Sequence, residues 1–235
     1  MDDDLRPPQS SAGDLAHAGL KAGLSTLPVL GGAIAELIDQ VLKAPMERRG
    51  EQWMRSVAEA IAELRDRVDG FDVEKLAANE TFVSALVHAT QIATRTHQEE
   101  KLQALRNAIT NSVLPNAPDE DRQHMFFRMI DDLTPWHLRI ARLFDDPVEW
   151  ARAKGVDYGN QSMGGLAQVL EAAFPELRGR RELYDQFWSE LRGRGLVTTD
   201  GLHTTMTAST NGMYARRTSD FGREFLIFIS RSKRR

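Results

Sequence analysis

Residues 178–197 read RGRRELYDQFWSELRGRGLV, and this stretch decides the fold of the C-terminal third of the chain. Its apolar side chains Leu183, Phe187 and Leu191 recur every fourth residue, which is the spacing of one buried helix face. Glycines follow the last apolar turn, as is typical of a helix C-terminus. The pattern therefore predicts a helix that packs one face on a core and has arginines at both ends.

Two further helices are predicted on either side of this stretch. The preceding segment GGLAQVLEAAFPEL, residues 164–177, has a helical apolar pattern that stops near Pro175, because proline cannot continue a helix. The later segment SDFGREFLIFI, residues 219–229, begins with Ser219, a residue type favoured at helix N-caps. The sequence thus places a closing helix at the end of this region.

A short β-structure is predicted between the arginine-flanked helix and the closing helix. LHTTMT, residues 202–207, alternates with threonine-rich β-propensity, and TNG, residues 210–212, is a turn signal. MYARRT, residues 213–218, then reads as the return strand. Two helices, a two-stranded β wing and a closing helix together predict a winged helix-turn-helix domain.

The rest of the chain is predicted to be helical, so the expected fold class is mainly α. The segment from Pro45 to Val68 has the stripe of an amphipathic helix, and residues 79–114 continue as one helix or as two joined near Thr94–Gln98. The predicted domains are a disordered lead-in at residues 1–13, a helical bundle at 14–114 and a winged-helix-like domain at 119–235. The proline-rich acidic stretch LPNAPDED, residues 114–121, marks the boundary between the last two.

The segment LPVLGGAIAELIDQVL, residues 27–42, is unusually apolar for this chain. The uncharged run around it has 14 residues, fewer than the roughly 20 that span a bilayer, and it contains Pro28. Gly31-Gly32 is not followed by the lysine that a phosphate loop needs. Two alternatives stay open: a core helix, or an element that contacts membrane or mediates oligomerisation. The candidate contact residues are Leu20, Leu24, Leu27, Val29, Leu30, Ile34, Leu37 and Ile38.

Composition limits the function classes. Without cysteine the chain has no disulfide, thiolate nucleophile or cysteine-type zinc site, and a cytoplasmic location is expected. The formal net charge is −4, but it is about +5 from Pro175 onward and −9 before it. This asymmetry indicates two parts with different partners.

No catalytic motif, metal-binding pattern or cofactor-binding motif is found, so we expect a protein without catalytic residues, metal or cofactor. The six histidines lack the i, i+4 spacing of a helical metal site. GNQSMGG, residues 159–165, resembles a nucleophile elbow, but Asn160 stands where glycine is required. No small-molecule substrate is evident.

Arginines around the predicted 178–197 helix and wing are the candidate contacts for DNA or for a protein partner. DNA binding would need basic side chains for phosphates, whereas Glu182, Asp185 and Glu190 on the same helix would repel them. Both partner classes stay open from the sequence. The candidate residues are Arg178, Arg180, Arg181, Arg192, Arg194, Arg216 and Arg217.

Three segments carry a resemblance to a known family: EEKLQALRNAITNSVL at 99–114, MFFRMIDDLTPWHLRIARLFDDP at 125–147 and RTSDFGREFLIFI at 217–229. In their order and motifs they resemble the Abi-alpha family of bacterial abortive-infection-type proteins. Arg217 stands where that family has a hydrophobic residue. The resemblance implies a bacterial defence role without catalytic residues, and a looser analogy with HeLo-type helical cell-death domains implies membrane damage by a released N-terminal segment.

These observations lead to two hypotheses. In the first, a cytoplasmic bacterial defence protein oligomerises or contacts the membrane surface on activation through its N-terminal segment, and its winged helix binds a partner. In the second, the chain is a DNA-binding transcriptional regulator.

Overall fold

The computed structural model describes residues 31–66, 68, 72–159 and 162–231, with side chains from residue 47 onward except at 74 and 77. Contacts divide the chain into a first unit, residues 1–52, and a second unit, residues 53–235. The described part is mainly helical, with nine α-helices and one small two-stranded antiparallel sheet. The mainly α class predicted from the sequence is therefore confirmed.

Helix α1, Gly31–Arg65, is the longest in the described part of the chain, at 35 residues. The sequence pattern predicted a new helix beginning at Pro45, whereas α1 passes through that residue. In its C-terminal half, Trp53 and Val57 are buried, as the apolar stripe predicts, while Met54 is exposed. Trp53 also donates from its indole N–H to the Thr90 hydroxyl at 2.9 Å, which ties this half of α1 to the next helix.

Three helices follow and pack against one another: α2, Glu80–Arg95, α3, Glu99–Ser112, and α4, Glu120–Asp132. The break between α2 and α3 confirms the interruption predicted near Thr94–Gln98. Asp119 caps α4, because its carboxylate accepts the Arg122 backbone N–H at 2.9 Å. The connection between α3 and α4, predicted as a domain boundary, lies within the second unit.

The remaining elements begin with a helix that starts at a proline, as the Thr134-Pro135 pair predicts. Two short 3-10 helices, Glu74–Ala78 and Pro175–Leu177, complete the described helical structure. In chain order the remaining elements are α5, Pro135–Asp145; α6, Pro147–Lys154; β1, Met163–Gly164; α7, Leu166–Ala173; α8, Arg181–Gly193; β2, Met206–Thr207; and α9, Asp220–Phe228.

The core joins α4 to the closing helix α9 through aromatic rings. Phe126 of α4 lies 5.2, 5.4 and 5.5 Å, between ring centroids, from Phe221, Phe225 and Phe228. Such tilted aromatic pairs add about 0.5–1.5 kcal/mol each beyond the burial of their area. Helix α9 also packs on α3 and α5, so residues on both sides of the 114–121 stretch share one core.

The predicted β wing is wrong in its pairing, although the sheet has two strands as expected. β2, Met206–Thr207, pairs antiparallel with β1, Met163–Gly164, and not with the segment 213–218. From that segment Thr218 forms a single bridge, with Val197. The turn after β2 is closed instead by the Met213 backbone N–H, which donates to the Thr207 carbonyl at 2.8 Å. A partner strand some 40 residues earlier is not visible in a local hairpin pattern.

Candidate functional site

Helix α8 has a fully buried face. Tyr184, Phe187, Trp188 and Leu191 are buried, which confirms the core-facing stripe of the 178–197 stretch. The Trp188 indole N–H donates to the Thr199 carbonyl at 3.0 Å and so holds the chain that follows α8 against it. The side of α8 that remains available to a partner is therefore the opposite, charged side.

The arginines predicted to contact a partner are mostly engaged within the chain. Arg178 donates to the Glu171 carbonyl, and Arg217 donates to the Gly212 carbonyl and to the Met206 sulfur. Four others form ion pairs, and all four of their partners are acidic side chains close to α8 or α9. These pairs are Arg181–Asp185, Arg192–Asp200, Arg194–Asp132 and Arg216–Asp220.

Arg180, just before α8, is exposed, and the described residues place no hydrogen-bond or ion-pair partner beside its side chain. The Asp185 carboxylate pairs with Arg181 and also contacts His203, whose Nε2 lies 2.7 Å from it. The charged side of α8 thus alternates positive and negative groups. Exposed ion pairs contribute only about 0–1 kcal/mol each, so these pairs balance the charge of this surface more than they stabilise the fold.

A buried histidine lies beneath α8. His137 of α5 is 2% exposed, and its ring packs edge-on against Phe187 with centroids 4.9 Å apart. Its Nδ1 accepts the Thr134 backbone N–H at 3.0 Å, and its Nε2 is 3.1 Å from the Glu190 carboxylate. Burial lowers the pKa of His137, and the nearby Glu190 charge opposes this shift. The histidine is therefore held in its neutral form at pH 7.

A cavity of about 780 Å³ opens beside α9 and was not predicted from the sequence. Its lining includes Arg142 of α5, Arg216, and Arg223 and Glu224 of α9. A second depression of about 530 Å³ shares Asp145, Arg216 and Arg223 with the first and adds Tyr214 and the acidic residues Asp146 and Glu149. Sequence reasoning missed Arg142 because the segment WHLRIARLF has the ordinary amphipathic pattern of a surface helix, in which arginines face solvent.

The predicted membrane or oligomer contacts lie largely beyond what the structure describes. Leu20, Leu24, Leu27, Val29 and Leu30 lie outside the described residues. Ile34, Leu37 and Ile38 belong to α1, but their side chains are outside the described part. Among the described residues, no helix has the length and apolar content needed to cross a membrane.

The described residues also contain no group of three or more histidine, aspartate or glutamate side chains placed to hold a metal ion. Comparisons of the chain with protein-family models, curated proteins and solved structures find no match.

Proposed function

We propose that this chain is a non-catalytic, bacterial defence protein of the abortive-infection type that binds a protein partner through the charged side of α8. One observation carries the choice of partner: six of the seven candidate arginines are bonded within the chain, four of them to carboxylates. A surface of alternating charge is complementary to another protein surface, whereas a phosphate backbone needs an excess of free cations. The defence role is supported by the three segments that resemble the Abi-alpha family.

The region from α7 to α9 supports a winged-helix-like arrangement for this module. α7 and α8 follow each other as a helix pair, and the bridge from Val197 to Thr218 places the chain before α9 beside the chain after α8. In the proposed winged-helix-like arrangement, α8 would be the recognition helix. Its mixed charge supports protein recognition over DNA binding.

In the same proposal, the apolar segment at residues 20–38 mediates oligomerisation or membrane contact when the protein is activated. Buried large apolar side chains contribute about 1.5–3 kcal/mol each, in lipid or in an interface. Leu30→Asp should therefore abolish growth arrest on expression in bacteria, because a carboxylate opposes burial in either environment. Gln40→Asp is the matched control, since it adds the same charge at a polar position of the helix pattern and should leave the arrest unchanged.

Flotation with anionic liposomes separates the two routes for the N-terminal segment. If the full chain floats and releases trapped dye while a chain lacking residues 1–43 does neither, the segment contacts membrane. If neither floats but the full chain is larger in light scattering, the segment mediates oligomerisation. If arrest is equal in wild type and Leu30→Asp, the proposed effector role is wrong.

The alternative is a DNA-binding regulator, and the exposed Arg180 is the observation that favours it. Its affinity for duplex DNA should fall steeply with salt, with a slope of about −0.9 per neutralised phosphate, and should weaken in Arg180→Gln and Arg181→Gln. Gel shifts at about 50 mM salt test this directly. Absence of a shifted band under these conditions removes the alternative and supports protein recognition.

A further inference from the structure

The cavity beside α9 contains a guanidinium that lacks an anionic partner. Arg142 is partly buried, and no described side chain or carbonyl lies within hydrogen-bond or ion-pair distance of it. The Glu100 carboxylate acts on its charge, but that carboxylate is itself bonded to Arg139. Burial lowers the pKa of Arg142, but a guanidinium stays charged in proteins. A desolvated and unpaired charge is costly, so the cavity favours an anion at this point.

Two further arginines line the same cavity from α9 and the segment before it. Arg223 is exposed, and no described group lies within bonding distance of its side chain. Arg216 is paired with Asp220 at 3.0 Å, but the Asp220 side chain is 97% exposed. An ion pair this open to solvent is weak, and Arg216 can turn to a better acceptor.

The acidic side chains of the cavity are occupied by donors of the protein itself. The Glu224 carboxylate accepts two bonds from Arg122, at 2.8 and 3.0 Å. Asp145 accepts the Thr218 hydroxyl at 2.6 Å, and Asp220 accepts Arg216. Arg231 also lines the cavity and is paired with Glu63 at 2.9 Å. Arg142 and Arg223 are therefore left without an acid, and Asp145 keeps its negative charge because a hydroxyl does not neutralise it, so the lining retains one net positive charge.

We propose that this cavity binds a phosphate-bearing small molecule through Arg142, Arg216 and Arg223. Guanidinium groups bind phosphate with paired N–H donors, and a phosphate carries enough charge to satisfy more than one of them. The volume of about 780 Å³ is within the range of small-molecule sites, roughly 300–1,000 Å³.

The adjoining depression identifies the class of phosphate compound. Tyr214 lines it, and the Tyr214 ring is stacked on Tyr158 with centroids 5.3 Å apart and planes at 15°. The Tyr158 hydroxyl donates to the Pro147 carbonyl at 2.7 Å, which fixes the ring pair against the start of α6. Because the two cavities share Asp145, Arg216 and Arg223, one elongated ligand can place its phosphate near Arg142 in the first cavity and an organic group beside Tyr214. A nucleotide has this form.

The test is calorimetric titration of the full chain with inorganic phosphate, AMP and ATP, against sodium chloride at equal ionic strength. Wild type should bind at least one of the three phosphate compounds. Arg142→Gln and Arg223→Gln should each weaken that binding about ten- to hundredfold, because each loses a charged hydrogen bond. Arg128→Gln is the matched control, since Arg128 is an exposed arginine outside both cavities, and it should bind as wild type does.

A second readout distinguishes a ligand site from a structural role of Arg142. Without ligand, Arg142→Gln should unfold at the same temperature as wild type or higher, because it removes a desolvated charge that has no partner. With ligand, only wild type and Arg128→Gln should gain stability. Binding of ATP more tightly than phosphate supports a nucleotide, and equal binding supports the anion site alone.

The proposal is overturned if none of the three compounds binds, or if Arg128→Gln weakens binding as much as the cavity variants do. Should Arg142→Gln fail to fold, the exposed Arg223 variant still decides the outcome. The titration uses no growth or membrane readout, so its failure leaves the proposed defence function untouched.

Discussion

Gly222 is a residue at which one added methyl group would disturb the packing of α9. A Cβ at this position would lie 2.1 Å from the Leu196 carbonyl oxygen, a backbone atom that cannot move aside cheaply. The same carbonyl accepts the Ser219 backbone N–H at 3.0 Å, so the chain after α8 is held against the start of α9. Glycine at this position allows the backbone of α9 to lie close to the backbone at Leu196.

Gly222→Ala should therefore lower the free energy of unfolding by about 1–3 kcal/mol, the usual cost of forced overpacking. The matched control is Gly193→Ala at the end of α8, where a Cβ meets nothing within 4 Å. That variant should be neutral or gain up to about 1 kcal/mol, since alanine is the better helix former. Urea unfolding of both variants checks the difference, and equal stabilities would contradict the clash.

The buried His137 makes stability depend on pH. Because burial holds its pKa in the folded chain below the ordinary 6.5, the unfolded chain binds more protons below that pH. The free energy of unfolding should thus be highest above about pH 6.5 and fall as pH decreases toward the folded pKa, by at most about 1.4 kcal/mol per pH unit for this group. The pKa of His88 is lowered as well, mainly by burial, and acts in the same direction.

Urea unfolding at pH 7.5, 6.5 and 5.5 measures this dependence. His137→Gln should be less stable than wild type at pH 7.5, because it loses a packed ring, yet its stability should decline less toward pH 5.5. If the free energy of unfolding falls equally with pH in the two proteins, the pH dependence does not come from His137.

At the scale of elements, two asparagines of α3 fasten the end of α9. Asn111 donates to the carbonyls of Phe228 and Ser230 at 2.7 and 2.8 Å, and Asn107 donates to that of Ile229 at 2.9 Å. The last carbonyls of a helix have no partner within the helix, so these amides take the role of a cap. Two helices distant in sequence are joined by side-chain bonds to backbone.

Asn111→Leu should cost about 1–3 kcal/mol, because it leaves buried carbonyls without a donor. Hydrogen exchange should also become faster at the end of α9, where the capped carbonyls lie. Thr110→Ala is the control, since the Thr110 hydroxyl bonds only to carbonyls of its own helix, and a loss of no more than roughly 0.5 kcal/mol is expected. Unchanged exchange in Asn111→Leu would contradict the capping role.

Local sequence patterns predicted where several helices begin and end, but they did not predict which strands pair or which charged side chains meet. Ser219 was predicted to cap the closing helix, and its hydroxyl accepts the Gly222 backbone N–H at 2.8 Å. The strand partner of Met206 and the carboxylate beside Arg194 could not be found, because they depend on segments about 40 and 60 residues away. Arg142 was missed because its lack of a bonded partner depends on the residues that surround it in the fold, and a helix pattern does not show these.

At the scale of the whole molecule, the observed units differ from the predicted domains, and fragments can test which division is physical. A chain of residues 53–235 keeps the aromatic contacts of Phe126 and the hydrogen bonds from Asn107 and Asn111 to the carbonyls at the end of α9. It should therefore unfold in one cooperative transition, with its own core.

A chain of residues 119–235 corresponds to the predicted winged-helix-like domain. It removes both asparagines and exposes the side of the core that α2 and α3 cover, so it should lack a cooperative thermal transition. Circular dichroism melts of the two fragments check this. A sharp transition in the 119–235 fragment would instead support the boundary predicted from the proline-rich linker.

The bond from Asn107 to Ile229 spans 122 positions of the chain. On the ribosome, α3 is complete long before its acceptors exist, and its amides stay solvated until α9 emerges. A chain cut before Ile227 would have most of the described helices but would lack the carbonyls that Asn107 and Asn111 bind. Cellular proteases should remove such a product quickly, so this chain should accumulate only once α9 has been made.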